Sequence, residues 1–187
     1  MTTTMVLGLL VAILVFWAVG AYNRLVRLRS DAMSAFSALD NVVSVQSALI
    51  RAAQPAASSL EPDRPSPFQD SLWLRLEAAG EQVAQALSNA RVRLLDPEAI
   101  RALSSAYGVM TDAWRSPQAQ RLDGTLHPQD LRARLAALDE QAVVHAANFD
   151  ASVAVYNVAI RQFPALVLAG IWHFRPAQTL EWSRAAE

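Results

Sequence analysis

The chain reads as all-α: an N-terminal transmembrane helix continuing into an antiparallel up-down-up-down four-helix bundle with an apolar C-terminal tail. Three observations predict this. The first is a run without charge from Met1 to Asn23, followed at once by Arg24, Arg27 and Arg29. The second is apolar spacing of three and four through most of the remaining chain, the period of helices that bury one face. The third is proline at the start of each later segment, at Pro67, Pro97 and Pro128, where a missing N–H is not needed.

Residues 1–4 are expected as a short extracytoplasmic N-terminus and 5–22 as the transmembrane helix. Met5 to Tyr22 is almost wholly apolar. About eighteen such residues, at about 1.5 Å rise each, nearly cross a hydrocarbon core. A cleaved signal peptide needs basic residues before its apolar run and small ones after it. Here Thr2, Thr3 and Thr4 precede the run and Tyr22-Asn23-Arg24 follow it, so the run is expected to stay as an anchor. Arginine on its C-terminal side alone places the bulk of the chain in the cytoplasm. Trp17 and Tyr22 suit an interfacial belt. No ionisable group lies within the span, which gives no sign of an ion path.

Residues 23–163 are expected as the bundle. Leu25, Leu28, Ala32, Ala35, Leu39, Val42, Gln46 and Leu49 form the first stripe, widened by Phe36, Val43 and Ile50. This helix is expected to be continuous with the span and to stop near Gln54-Pro55, before a linker from Pro55 to Pro67. Ser66-Pro67 with Gln69 has the form of a capping box. Asp96-Pro97-Glu98 places acids where a helix dipole favours them, and His127-Pro128 with Asp130 repeats the device. The second stripe runs from Leu72 through Leu76, Ala79, Val83, Ala86 and Ala90 to Leu94. The third is Ile100, Leu103, Tyr107, Met110 and Trp114. The fourth runs from Leu131 through Leu135, Leu138, Ala142, His145, Phe149, Val153, Tyr156 and Ile160 to Phe163, with Pro164 as its stop.

Helix lengths set the topology. The first bundle helix, about 45 Å, and the fourth, about 50 Å, can pair along their whole length. The second and third are shorter, and their short connection makes them antiparallel neighbours. The fourth helix then returns to the membrane, and residues 164–187 become a membrane-proximal tail. That tail is apolar and aromatic from Phe163 to Trp182, yet too short to span. Two arrangements stay open for it. It packs over the open end of the bundle, or Trp172, Phe174 and Trp182 touch the headgroup layer as interfacial aromatics.

Several stretches together resemble the LemA family. They are Tyr22-Asn23-Arg24-Leu25-Val26-Arg27-Leu28-Arg29 after the membrane helix, and Ala35-Phe36-Ser37-Ala38-Leu39-Asp40 a few turns later. Tyr156-Asn157, Ile160, Phe163-Pro164, Leu168-Ala169 and the tail around Phe174 look like the family's closing motif. The resemblance implies a small outside N-terminus, one membrane helix and a cytoplasmic helical bundle, with no established enzymatic activity. It also makes Tyr22, Asn23, Tyr156, Asn157, Phe163 and Pro164 a membrane-proximal family motif. Beyond Asp40, family members carry a basic stretch and then a motif with leucine, proline and asparagine. This chain has Asn41-Val-Val-Ser-Val-Gln-Ser-Ala-Leu-Ile50 instead, which makes it a divergent member and puts any recognition by that stretch in doubt.

Composition narrows the chemistry. The net charge of −1 gives no nucleic-acid-binding balance. All sixteen basic residues are arginine, which together with the abundant alanine points to biased codon usage. With no cysteine, disulfides and thiolate metal sites are excluded. There is no Gly-rich phosphate loop and no H-E-x-x-H pattern. Bundle enzymes hold metals with Glu-x-x-His pairs, but Glu140 and His145 are five apart, and His127, His145 and His173 are scattered. No cofactor or metal is expected. His127 reads as a cap, His145 as a hydrogen-bonded core histidine and His173 as part of the tail. Gln46 reads as a group that satisfies a buried partner or sets helix register, and Glu77 with Glu81 as a solvated face. Arg24, Arg27 and Arg29 read as topology and anionic-lipid contacts, or as a site for an acidic partner. Tyr22-Asn23 and Tyr156-Asn157 also have a structural reading, as aromatic packing with amides that satisfy helix ends.

The expected function is a single-pass, non-enzymatic adaptor or scaffold at the bacterial inner membrane. Its expected partners are membrane lipid and either its own copies or another membrane protein, with no nucleic acid. The alternative is a regulatory or accessory subunit of a membrane enzyme such as a protease.

Overall fold

The computed structural model describes residues 2–59, 67–116, 128–172, 174–180 and 182. Among these the regular structure is helical: α1 (Thr2–Ser59), α2 (Pro67–Val92), α3 (Pro97–Arg115), α4 (Pro128–Ala159) and α5 (Ala165–Trp172). Ser66 and His127, two of the expected caps, lie outside the described residues, as do the 60–66 part of the linker and His173.

α1 is one helix of 58 residues, with no break between the apolar run and the bundle. At 1.5 Å per residue it is about 85 Å long. Its two parts have different surroundings. From Met5 to Val19 the large apolar side chains are exposed, whereas Leu25, Ala32, Phe36, Leu39, Val43 and Ile50 are buried. Among the described residues it is the one helix long and apolar enough to cross a membrane, and none of its apolar window is buried within the protein. A helix satisfies its own backbone, so it can pass from lipid to water without a change of structure.

α1 also runs past Gln54-Pro55, its expected end, to Ser59. The linker therefore starts later than the sequence predicts. Proline holds φ near the helical value and deletes a single backbone donor. So close to the end of the helix, one missing bond leaves the last turn in place.

α2, α3 and α4 start at Pro67, Pro97 and Pro128, as their spacing predicts. At α3 the Asp96 backbone is extended, and its Oδ1 accepts the Glu98 N–H at 3.1 Å. That bond satisfies one of the orphan donors of the first turn.

α1 and α4 pack antiparallel along their length. Phe36 meets Phe149 edge-on with ring centroids 5.7 Å apart. Far up α1, Trp17 meets Phe163 at 5.1 Å. α2 also runs antiparallel to α1 but stops short. Arg91, at the end of α2, holds Asp40 at 2.9 Å and Ser44 at 3.1 Å. Arg51 pairs with Glu81 at 3.1 Å further from the apolar run. α3 folds back on α2 through the turn at 93–96, and its side chains reach α4 at Asp139. Four helices therefore enclose the core only at the end away from the apolar run. Nearer the run, Ala177, Leu180 and Trp182 from the end of the chain join the core instead.

α4 ends at Ala159, not at the Phe163-Pro164 stop. The Arg161 and Gln162 N–H groups bond to Val158 and Ala159, three residues back, which tightens the chain out of the helix. Proline also disfavours helical backbone at the residue before it. After this turn comes α5, a helix of eight residues where the sequence predicts only a tail.

Phe149 is fully buried at the α1–α4 seam. Phe149→Ala is expected to destabilise the full-length protein by about 3–5 kcal/mol, read by denaturant unfolding in detergent. Val144→Ala, on the exposed side of α4, is expected to change stability by less than about 0.5 kcal/mol.

Candidate functional site

The end of the bundle next to the apolar run gathers most of the residues singled out in the sequence. The Tyr22 ring lies 5.5 Å from Trp172 and 6.2 Å from Phe174. Trp17 and Phe163 extend this aromatic cluster towards the N-terminus. Arg24, Arg27 and Arg29 are exposed beneath it, and so is Asn23. Pro164 is half-buried in the turn that leads to α5.

Tyr156 and Asn157 face the chain's own C-terminal strap, residues 174–180 and 182. The buried Tyr156 hydroxyl donates to the Arg175 carbonyl at 3.1 Å. Burial pushes this phenol above its ordinary range, and the nearby Arg29 charge pulls the other way. The Asn157 amide grips Ala177 twice. Its Nδ2 donates to the Ala177 carbonyl at 2.8 Å, and its Oδ1 accepts the Ala177 N–H at 2.9 Å. Further along, the Leu180 N–H donates to Asp150 Oδ1 at 2.6 Å. Ser104 Oγ donates to the Leu180 carbonyl at 3.0 Å and accepts from Trp182 Nε1 at 3.2 Å. The Trp182 indole stacks on Tyr107, with centroids 3.9 Å apart and planes 8° from parallel.

As the strap's residue numbers rise, its partners on α4 fall from Asn157 to Asp150. The strap thus runs antiparallel to α4 and away from the apolar run. The expectation of a wholly membrane-proximal 164–187 segment is corrected here, and so is that of Trp182 as an interfacial aromatic. Trp172 and Phe174 stay at Tyr22, while Trp182 is 9% exposed against α3. The physical reason is the groove that the short α2–α3 hairpin leaves open. The strap fills it, and Asn157, Asp150 and Ser104 satisfy its backbone.

A second cluster lies inside the four-helix part. Tyr107 OH donates to Asp139 Oδ1 at 2.6 Å, and Arg115 pairs with the other carboxylate oxygen. Asp139 is 3% exposed, so this buried carboxylate is held by a phenol inside and a guanidinium from the rim. Burial first, and then the adjoining Asp139, push the Tyr107 phenol well above its ordinary range. Gln46 and Thr111 act on that phenol in the opposite direction, yet neither makes a hydrogen bond of ordinary geometry. Gln46 is fully buried with both amide atoms unpartnered. Of its two expected roles, setting helix register and satisfying a buried partner, the second is not met by a hydrogen bond of ordinary geometry, and an unpartnered buried group costs about 1–3 kcal/mol. His145 is half-buried on α4. Glu81, expected on a solvated face, is exposed and paired with Arg51. Among the described residues no cluster of His, Asp and Glu has the arrangement to hold a metal.

The sequence reading missed Asp139, Ser104 and the chemical role of Tyr107. A signal for Asp139 was present. It sits four after Leu135 and three before Ala142, so the stripe itself puts an acid in the core. Compared with protein-family models, curated proteins and solved structures, the chain matches none.

Trp182→Ala is expected to cost about 3–5 kcal/mol, and Asn157→Ala to raise amide exchange selectively over 174–182, read by hydrogen–deuterium exchange mass spectrometry. The tyrosines predict an alkaline limb. Their folded-state pKa values lie above the unfolded value of 10.0. The stability they contribute is therefore full below about pH 10 and is lost as pH rises beyond it. Tyr107→Phe is expected to be less stable at pH 7 and to lose less stability between pH 9 and 11, measured by urea unfolding at each pH.

Proposed function

We propose that this protein is a single-pass anchor with a helical bundle at the bacterial inner membrane. Residues 1–4 lie outside and the bundle lies in the cytoplasm, where it acts as a non-enzymatic adaptor or scaffold for a membrane partner or for its own copies. The observation that carries this reading is α1. One unbroken helix is lipid-compatible on all sides at one end and core-forming on one face at the other. Such a helix fixes a bundle to a membrane without a flexible linker.

Three further points support it. Arginine follows the apolar run and no charge precedes it, which favours the cytoplasm for the bundle. The stretches that resemble the LemA family come from both ends of the chain, and Tyr22 and Tyr156-Asn157 lie at the same end of the fold. The outward side of α4 exposes Val144, Val155 and Val158, an apolar surface suited to another protein.

Two measurements test the reading. A reporter fused after Glu187 is expected to be active as a cytoplasmic marker and silent as a periplasmic one; the reverse would refute the orientation. A photo-cross-linker at Val158 is expected to capture protein in native membranes. Capture of its own copies supports a scaffold. Reproducible capture of a membrane protease would replace this reading with a regulatory subunit.

A further inference from the structure

We infer that α5 is a second membrane contact, an interfacial helix that lays Phe163, Leu166, Val167, Ile171 and Trp172 into the headgroup–acyl boundary of an anionic bilayer. This rests on the reading of α1 as a membrane anchor and goes beyond it.

The faces of α5 are the first argument. Ala165, Leu168 and Ala169 are buried against the protein. The opposite face is apolar and open: Leu166 is 54% exposed, Val167 52% and Ile171 60%, and Phe163 just before the helix and Trp172 at its end are also exposed. Leaving these side chains in water is unfavourable at about 25 cal/mol per Å² of apolar surface, and nothing among the described residues covers them.

Depth is the second argument. Phe163 touches Trp17 and Trp172 touches Tyr22, both on the apolar run. Trp17 lies seven residues before Arg24, about 10 Å along the helix. The chain therefore climbs past Arg24 after α4, turns near Phe163 at the depth of Trp17, and comes back through α5. Interfacial helices sink about 5–10 Å into the boundary, so α5 lies at the depth such a helix takes. Its open face continues the lipid-exposed surface of α1.

Charge is the third argument, and it selects the lipid. The apolar segment is bracketed by Arg161 and Arg175, both exposed. They join the exposed Arg24, Arg27 and Arg29 at the same end of the bundle. Within and directly beside the stretches 1–30 and 151–180 these five arginines are matched by only three acids, Asp31, Asp150 and Glu181, so positive charge is in excess there. A belt of guanidinium groups below an apolar, aromatic surface fits a layer of lipid phosphates with net negative charge.

The chain has no cysteine, so single thiols can be placed at will on the exposed positions Val11, Val144 and Ile171. Full-length Val11→Cys, Val144→Cys and Ile171→Cys are labelled with an environment-sensitive fluorophore. Each is reconstituted in phosphatidylcholine vesicles with or without phosphatidylglycerol. With phosphatidylglycerol present, the probes at 11 and 171 are expected to lose emission on lipid brominated in the acyl chain. The probe at 144 is expected to respond only to aqueous iodide. If 11 is lipid-quenched while 171 behaves like 144, the inference about α5 fails and the anchor stands. If 171 is shielded from both quenchers, protein covers α5 and the inference fails. If iodide reaches 11, the anchor reading itself fails. Arg161→Gln with Arg175→Gln is expected to reduce lipid quenching at 171 in the anionic vesicles. Equal quenching at 171 in neutral and anionic vesicles would overturn the choice of lipid.

Discussion

The structure depends on one unbroken helix with two different surfaces. In α1 the backbone is satisfied internally throughout, so the same geometry is compatible with lipid along the apolar run and with water beyond it. What changes at Asn23 is only the side-chain pattern, from apolar on all sides to apolar on one. Because the helix is unbroken, the phase of its core stripe at Leu25, Ala32, Phe36 and Leu39 is locked to the orientation of the apolar run. α4 is long enough to follow that stripe and α2 is not. The space beside α4 that the α2–α3 hairpin leaves open is taken by the C-terminal strap, which is held by α4 and α3.

Residues 174–180 of the strap form no ladder or helix, so their polar backbone has to be satisfied from outside. Asn157, Asp150 and Ser104 do this for Ala177 and Leu180. Trp182 then fastens its end by stacking on Tyr107. A few polar side chains thus make burial of an irregular segment tolerable, and one aromatic ring supplies the apolar gain. The Tyr107 hydroxyl meanwhile ties α3 to α4 through Asp139, with Arg115 on the same carboxylate. Sliding α3 by a turn would leave that buried carboxylate without these partners, so the cluster sets the relative height of the two helices as much as it stabilises them.

The helices were legible because burial of one face imposes a period on the sequence. The α3 stripe is buried at every position from Ile100 to Trp114, and its Asp96 cap sits where composition alone puts it. The long apolar helix was legible for a related reason, since a continuous uncharged run stands out from the one-faced pattern that follows it. What could not be read was non-local. The partners Tyr107 and Asp139 are 32 residues apart, and Trp182 and Ser104 are 78 apart. No spacing rule links such positions. The strap was hidden for a further reason: an extended segment held by other elements' side chains leaves no periodic trace. Pro55 misled because proline marks a weakened helix, and tertiary context decides whether the weakness ends it. Asn157 stood out as part of a resemblance, but only the fold shows that its amide closes on Ala177.

The continuity of α1 also makes the protein a rigid lever. From Tyr22 to Ser59 the helix extends for about 55 Å with no loop in between. With the apolar run set in a bilayer, as proposed, a change of about 10° in its tilt, well inside the range that membrane helices adopt, would swing the far end sideways by about 10 Å. Tilt follows the match between apolar length and bilayer thickness. On that proposal the pose of the bundle would be mechanically geared to bilayer thickness, with Arg24, Arg27 and Arg29 at the fulcrum.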